Sequence, residues 1–507
     1  MIGPGSPNST GWSPQSTPAL RAAYGVGPDT TTQLIITAGT NRLIDIDPRA
    51  TGPAALLQRT SPVALPQAGM YADRNNLAPM FGIVWAPGRS GLWVIRTGAR
   101  LAYDDLFNNI PLSMGLAPPA SLQTTQSANV TQPGRFAWPL AFDQNVPLIA
   151  NFGRQGPGTP VSGIIALQGV DPRLRTARAL LHHFGLQRQL GRIIAELDYH
   201  GSQGRQLGIF TDANQPTVIV RDPARRGPVA PNEQVFPDSR FGQIQIAKSI
   251  ANSAYHAVTV SMRRQSVSGA YLQAWYSLGK SIDTNSSYYG SGNQPGEPGA
   301  PIDNRNLRLE RGLSAFDARH RLVAAAVLPL PRRWAVLNGW TLSGVATLQS
   351  GTPFTVVNGG PDTSGFNQAT QGSSPNAQNR PNLIGTGPVR QDNRNPDAAL
   401  DVARFAPAAA GQPGTSGRNI LTGPGLSNIN LAAIRRFRLP PEGMHLELRG
   451  EFMNVLNHTN FAQPVADLNN ASFGRILQTV GSTSANSSTG GFTGGSRLVQ
   501  IGVRLSF

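Results

Sequence analysis

The clearest pattern along the chain is an alternation of apolar and polar residues with a period of two. In the last eleven residues Val499, Ile501, Val503, Leu505 and Phe507 alternate with Gln500, Gly502, Arg504 and Ser506. Side chains of a strand point to its two faces in turn, so this stretch has one apolar and one polar face. Its length suits a tilted strand crossing a bilayer, roughly 9–11 residues. The pattern recurs upstream. Leu446, Leu448, Gly450 and Phe452 oppose His445, Glu447, Arg449 and Glu451. Trp340, Leu342, Gly344, Ala346 and Leu348 oppose Thr341, Ser343, Thr347 and Gln349, with Val345 out of phase. Ile193, Ala195, Leu197 and Tyr199 oppose Glu196, Asp198 and His200, and Leu272, Ala274, Tyr276 and Leu278 oppose Gln273, Trp275 and Ser277. Weaker strands are expected near 33–47, 79–86, 92–103, 181–190, 241–248, 254–264, 318–330 and 428–439, about 13 or 14 strands in all.

The spacers sharpen this picture. Long segments (284–316, 351–427, 457–495) alternate with short ones (331–338, 440–443). An antiparallel meander gives this rhythm when one rim carries loops and the other carries turns. Transmembrane barrels have short periplasmic turns and long extracellular loops. Phe507 then falls at the periplasmic rim, and the Gly/Ser/Asn-rich segments 291–299, 358–379 and 481–496 fall outside the cell. Long structureless loops of this kind do not suit a compact soluble domain. Aromatic residues near expected strand ends, among them Trp93, Tyr103, Phe107, Tyr271, Trp275, Trp334, Trp340 and Phe452, fit interfacial girdles or ordinary strand propensity equally well.

Composition narrows the class further. The 507 residues include 56 Gly and 42 Pro, the two poorest helix formers, and only 14% are charged. Apolar residues make up 39%, too many for a classical disordered chain. No run of 18 apolar residues offers a transmembrane helix, and the first residues lack the pattern of a secretory signal. Cysteine is absent, which excludes disulfides and thiol chemistry. The net charge is +16, and all 43 basic residues except Lys248 and Lys280 are arginine. They are scattered and accompany no nucleic-acid recognition fold, so no nucleic-acid partner is expected.

Candidate chemistry is sparse. The seven histidines include no pair at the helical i, i+4 spacing of a zinc site. Asp317 and His320 are close in sequence, but a spacing of three puts them on opposite strand faces, which favours a structural role over acid–base work. Glu447, Arg449 and Glu451 share one face and suit a charge ladder inside a lumen. No phosphate loop, nucleophile elbow or dinucleotide fingerprint is present. No catalytic, cofactor or metal residue is expected, and an enzyme is not.

Several stretches, matching in order and spacing, carry a family resemblance. They are Asn75–Asp105, LQAWYSLGKSID (Leu272–Asp283), LERGLSAFDARHRLVAAAVLPLP (Leu309–Pro331) and GWTLSGVATLQSGTPFTV (Gly339–Val356). NRPN (Asn379–Asn382), GRNILTGPG (Gly417–Gly425), MHLELRGEFMNVLNHTNFAQP (Met444–Pro464) and the terminal strand complete the set. Over residues 75–507 the chain resembles the barrel of TonB-dependent outer-membrane receptors, in particular the Oar-like group. Asn430 and Arg435 stand where that group more often has Asp and Lys.

The resemblance implies an all-β fold: an antiparallel transmembrane β-barrel, the C-terminal part of a receptor barrel of about 22 strands with long extracellular loops. It implies a Gram-negative outer membrane and a ligand captured outside the cell. Residues 1–74 are expected to be further barrel strands and loops, and 75–507 the barrel domain. The plug and regulatory-like domain of the family have no counterpart here, so the chain is expected to be a fragment of a larger receptor, reaching the TonB complex only through the missing plug. Val499, Ile501, Val503, Leu505 and Phe507 resemble the terminal signal read by the β-barrel assembly machinery. The alternative is a surface barrel that serves adhesion or structure without transport.

Overall fold

The computed structural model describes residues 73–88, 91–104, 167–171, 173–216, 218–220, 233–235, 244–286, 301–330, 338–358, 379–440, 443–480 and 495–507, with the backbone of Thr10–Trp12 and Ile36–Thr37. Among these residues the main sheet has 13 strands. The short Leu167–Val170 pairs in parallel with Ile244–Ala247, and Gly312–Leu313 pairs antiparallel with Ile282–Asp283. The other eleven form an antiparallel meander in which each pairs with its neighbours in sequence. They are β1 (Met80–Trp85), β2 (Trp93–Asp104), β3 (Ala177–Leu190), β4 (Ile193–Asp212), β5 (Ile244–Gln265) and β6 (Tyr271–Asp283). β7 (His320–Pro329), β8 (Trp340–Gln349), β9 (Leu426–Leu439), β10 (Met444–Met453) and β11 (Leu498–Ser506) follow. Among the described residues β1 and β11 are the two edges of an open sheet.

Register turns the sequence alternation into two continuous faces. Val499, Ile501, Val503 and Leu505 of β11 stand opposite Phe452, Gly450, Leu448 and Leu446 of β10. Leu431, Ala433 and Phe437 of β9 continue the row, as do Leu342 and Ala346 of β8 and Leu322, Ala324, Ala326 and Leu328 of β7. On β6, β5, β4 and β3 the same face carries Ala274 and Tyr276, Val260 and Met262, Leu197 and Tyr199, and Phe184 and Leu186. Large side chains on it are bare: Ile501 is 80% exposed and Val503 66%. A contiguous exposed apolar face on this scale marks contact with lipid. Among the described residues no helix is long and apolar enough to cross a membrane, and strands do the crossing.

The opposite face is polar. Arg436 Nε donates to Glu447 Oε2 at 2.7 Å, and Arg449 pairs with Glu451. Arg96 Nη2 donates to Gln187 Oε1 at 2.6 Å, and Ser261 Oγ donates to Glu196 Oε2 at 3.2 Å. The expected charge ladder of Glu447, Arg449 and Glu451 therefore exists, extended by Arg436.

The long-and-short rhythm holds along the whole meander. Turns at one rim are brief, Gly191–Arg192 being the tightest, where the positive φ of Gly191 (60°) closes the hairpin. At the other rim long segments join β2 to β3, β4 to β5, β6 to β7, β8 to β9 and β10 to β11. Two expectations need correction. The strands expected at 241–248 and 254–264 are one strand of 22 residues, β5. β4 does not end at His200 but runs 20 residues to Asp212. The strand expected at 33–47 lies outside the described residues except for Ile36–Thr37, which pairs with Thr10–Trp12. Phe107, Trp334 and most of the Gly/Ser/Asn-rich segments also lie outside them.

Among the described residues the larger buried apolar cluster sits above the long-loop rim, and a smaller one, Leu174 and Ala247 with Val170 and Phe210, lies against the outer part of the sheet. In the larger, Phe354, Val356, Leu400, Phe405 and Leu421 pack together, flanked by Leu383, Val389, Leu468 and Phe473. Short ladders brace this core: Pro353–Phe354 pairs with Leu421–Thr422, and Asn382–Leu383 with Phe405–Ala406. The described parts of these loops form a platform with its own interior.

Candidate functional site at the outer rim

The platform is fastened by side chains drawn from widely separated loops. Arg380 reaches Glu310 with two parallel bonds, Nη1 to Oε2 and Nη2 to Oε1, both 3.1 Å, and Nη2 also donates to the Leu309 carbonyl at 3.0 Å. Both side chains are buried. Glu310 lies in a short 3₁₀ turn, Leu307–Glu310, and its Oε1 accepts the Ile302 amide at 2.9 Å. This planar fork is the geometry in which arginine binds carboxylate most specifically.

A second clasp lies beside the first. Arg418 pairs with Asp283, the last residue of β6. Its Nε donates to the Glu310 carbonyl at 2.8 Å, and its Nη1 donates to Ser286 Oγ at 3.1 Å. Asn419, at a positive φ of 54°, donates Nδ2–H to the Leu313 carbonyl at 2.6 Å and exchanges hydrogen bonds with Thr355 Oγ1. The segment after β6 is thus bolted to the segment between β8 and β9. It is also tied to the end of β4, where Gln215 Nε2 donates to the Ile302 carbonyl and Asn304 Oδ1 accepts the Asp212 amide.

Electrostatics follow from this burial. Loss of solvation pulls the Arg380 guanidinium below its ordinary value, repulsion from Arg418 adds to that, and Glu310 opposes both. Burial pushes the Asp317 carboxyl above its ordinary 3.8, against the Ser281 amide, Arg319 and Lys280. Asp317 Oδ1 accepts the Ser281 N–H at 2.6 Å. His320 bonds instead to Tyr276 across the apolar face. Asp317 and His320 have different partners, consistent with a structural role for each.

A third knot fixes the outer ends of β9, β10 and β11. Asn454, at a positive φ of 50°, donates its amide to Asn430 Oδ1 at 2.9 Å. Its Nδ2 donates to the His458 and Gly495 carbonyls, and its Oδ1 accepts the His458 amide. Asn460 Oδ1 accepts the Ser427 amide at 2.7 Å.

Val499, Ile501, Val503 and Leu505, named above for their likeness to an assembly signal, share one face of β11. Phe507 follows the strand at the short-turn rim and is 96% exposed. Sequence reasoning missed the clasps. Their signal was present, because Asp283, Glu310, Asp317, Arg380, Arg418 and Asn454 all fall inside the stretches that carried the family resemblance. Among the described residues no group of three or more His, Asp or Glu side chains is placed to hold a metal ion.

The fold and the face pattern define an outer-membrane β-barrel protein. The chain belongs to the family described as outer membrane beta barrel domain, which it matches over residues 15–500. Solved structures similar to it include the outer membrane transporter YddB from Escherichia coli, at 13% identity over 79% of this chain and 39% of that one, TM-score 0.41. Another is the FrpB iron transporter from Neisseria meningitidis (F5-1 variant), at 12% identity over 87% of this chain and 41% of that one, TM-score 0.37. A third is the siderophore receptor PirA from Acinetobacter baumannii, at 11% identity over 79% of this chain and 39% of that one, TM-score 0.34. The chain spans about two fifths of the length of these structures. No match was found among curated protein sequences. The protein resides in the outer membrane of a Gram-negative bacterium.

Proposed function

We propose that the chain is the barrel portion of an Oar-like TonB-dependent receptor, and that its loop platform captures a ligand outside the cell for passage through the lumen. The observation that carries this reading is that the resemblance-bearing residues Asp283, Glu310, Arg380 and Arg418 meet in one buried pair of clasps. A preorganised outer surface over a polar lumenal face suits capture and passage. The chain serves as scaffold and binding surface, without catalysis. Energised transport would engage TonB through a plug domain.

The test is the extent of the native protein, read by mass spectrometry of detergent-extracted outer membranes and by cross-linking to TonB. Peptides of a plug domain continuous with residue 1, and a TonB cross-link, are the expected result. A mature protein beginning at Met1 with no plug and no cross-link would overturn transport and leave a surface barrel for adhesion or structure.

The terminal strand supports a second partner, the barrel-assembly machinery. β11 is an edge strand among the described residues, and edges are where strand-addition recognition operates. Deleting Phe507 from the full-length protein is expected to lower its outer-membrane level, and an unchanged level would sink the assembly-signal role.

A further inference from the structure

Three neighbouring strands bring three donor side chains to one point just outward of the apolar belt. His182 of β3 and His256 of β5 both stand in register with Gly201 of β4. Tyr199 lies on the same face of β4, one side-chain step toward the belt. Gly201 makes the room, because a Cβ there would run into the His182 ring. With that space open, both imidazoles reach one oxygen. Tyr199 Oη lies 2.7 Å from His256 Nδ1 and 3.3 Å from His182 Nε2. His182 and Tyr199 are half-buried and His256 is exposed, so the cluster is open on its outer side.

The spacing is that of a coordination sphere. Ligands bound at about 2.0–2.1 Å and at right angles stand about 2.9 Å apart, and two imidazoles on opposite sides of one ion put their ring centres about 6.4 Å apart. The two oxygen–nitrogen distances bracket the first figure, and the imidazole centroids, 6.2 Å apart, come close to the second. Two opposed nitrogens with an oxygen between them are three corners of a square. Square N,O donor sets suit Cu²⁺, which also binds such donors most tightly of the divalent first-row ions. No third His, Asp or Glu joins the two imidazoles; the third donor is a phenol.

The surroundings are sparse in charge. Lys280 of β6 stands in register with His256 and opposes a cation there. Arg178 and Arg205 lie further outward, and Arg205 is committed to the Gly204 and Ser253 carbonyls. On β2 the register partner of His182 is Ala99. Tyr276 and His320 repeat the 2.7 Å contact on β6 and β7 without a second imidazole, which makes that pair the internal comparison.

We propose that His182, Tyr199 and His256 form a Cu²⁺ site that ties β3, β4 and β5 together at the outer edge of the apolar belt. On binding, the Tyr199 O–H proton passes to solvent and the phenolate oxygen takes the ion. His182 Nε2 and His256 Nδ1 give it their lone pairs, each imidazole keeping its N–H on the other nitrogen. The ion stays cupric and no electron is transferred.

The full chain without an affinity tag, purified in detergent from outer membranes and stripped with a chelator, is titrated with copper sulfate alone. Wild type is expected to bind one ion tightly. A visible phenolate-to-copper charge-transfer band and an electron paramagnetic resonance spectrum split by two nitrogens should accompany it, with a raised thermal midpoint. Tyr199→Phe is expected to abolish the band. His182→Gln or His256→Gln should weaken binding at least roughly 100-fold, since even an outer hydrogen-bond partner of a metal ligand is worth about 10–100-fold. Gly201→Ala keeps all three ligands but displaces the His182 ring, and should lose tight binding as well. His320→Gln should leave band and splitting unchanged, as should His183→Gln/His200→Gln, which removes the imidazoles that oppose each other on the polar face. Absence of the band from copper-loaded wild type overturns the proposal without reliance on any variant. So does a band that survives in Tyr199→Phe, or a two-nitrogen splitting that is lost with His183 and His200 instead.

Discussion

Arg380 and Glu310 are 70 residues apart in sequence and share a buried fork. Removing one partner of such a pair strands a charge, at about 3–5 kcal/mol, whereas replacing both by apolar groups of similar volume is nearly neutral. Glu310→Gln is therefore expected to loosen the platform, seen as faster limited proteolysis of segment 301–319, while Arg380→Met/Glu310→Leu restores resistance close to wild type. If the double variant is as labile as the single one, the pair contributes more than charge compensation. Asp317 predicts a pH effect. Its folded-state pKa is raised, so the folded protein binds this proton more tightly than the unfolded chain does. Its contribution is then most favourable below the ordinary 3.8 and is lost as pH rises through the raised value. Asp317→Asn keeps an acceptor for the Ser281 amide and should remove this part of the slope of unfolding midpoint against pH. None of these pairings was legible in sequence, because charge complementarity between residues 70 or 135 apart has no period. What sequence offered was the motif, whose letters are the clasp residues.

Elements were more legible than contacts, and the failures have a physical cause. Alternation gave the faces of β6, β8, β10 and β11 because each is regular throughout. In β5 the pairing with β4 shifts register between Ser249 and Ser253. Each shift resets which face a side chain occupies, so one strand reads as two. β4 hides its outer half because Gly201, Ser202, Gln203 and Gly204 replace the apolar positions. The faces also predict opposite outcomes for adjacent substitutions. Val503→Arg, on the lipid side of β11, is expected to cost about 2–4 kcal/mol. Gln500→Arg, opposite Glu451 on the polar side, is expected to cost little. Urea unfolding in lipid vesicles measures both, and equal costs would mean that the faces are assigned the wrong way round.

At the scale of the molecule, the described residues form a membrane-crossing sheet with a soluble-like core at its long-loop rim. Its orientation is testable with unusual cleanliness, because the chain has no cysteine. Ala410→Cys lies in the platform and Val267→Cys in the short turn between β5 and β6. On intact cells a membrane-impermeant maleimide should label the first and spare the second, and the reverse pattern would invert the topology. The class of fold could be foreseen from the spacer rhythm, but the platform could not. Glycine-rich and asparagine-rich loops resemble disorder in sequence, and here their described parts are organised by Phe354, Phe405 and Leu421 together with the clasps.

The length of β5 has one more consequence. Its first twelve residues, Ile244–Tyr255, precede the apolar run that starts at Val258, and at roughly 3.4 Å per residue and a tilt near 40° they would lift the strand end about 30 Å beyond that apolar belt. The sheet is a pedestal as well as a wall. Sugar chains rooted in the outer leaflet would surround its shaft and leave its summit uncovered, so a bulky visitor such as a folded protein or a phage tip would touch this molecule before it touched the cell.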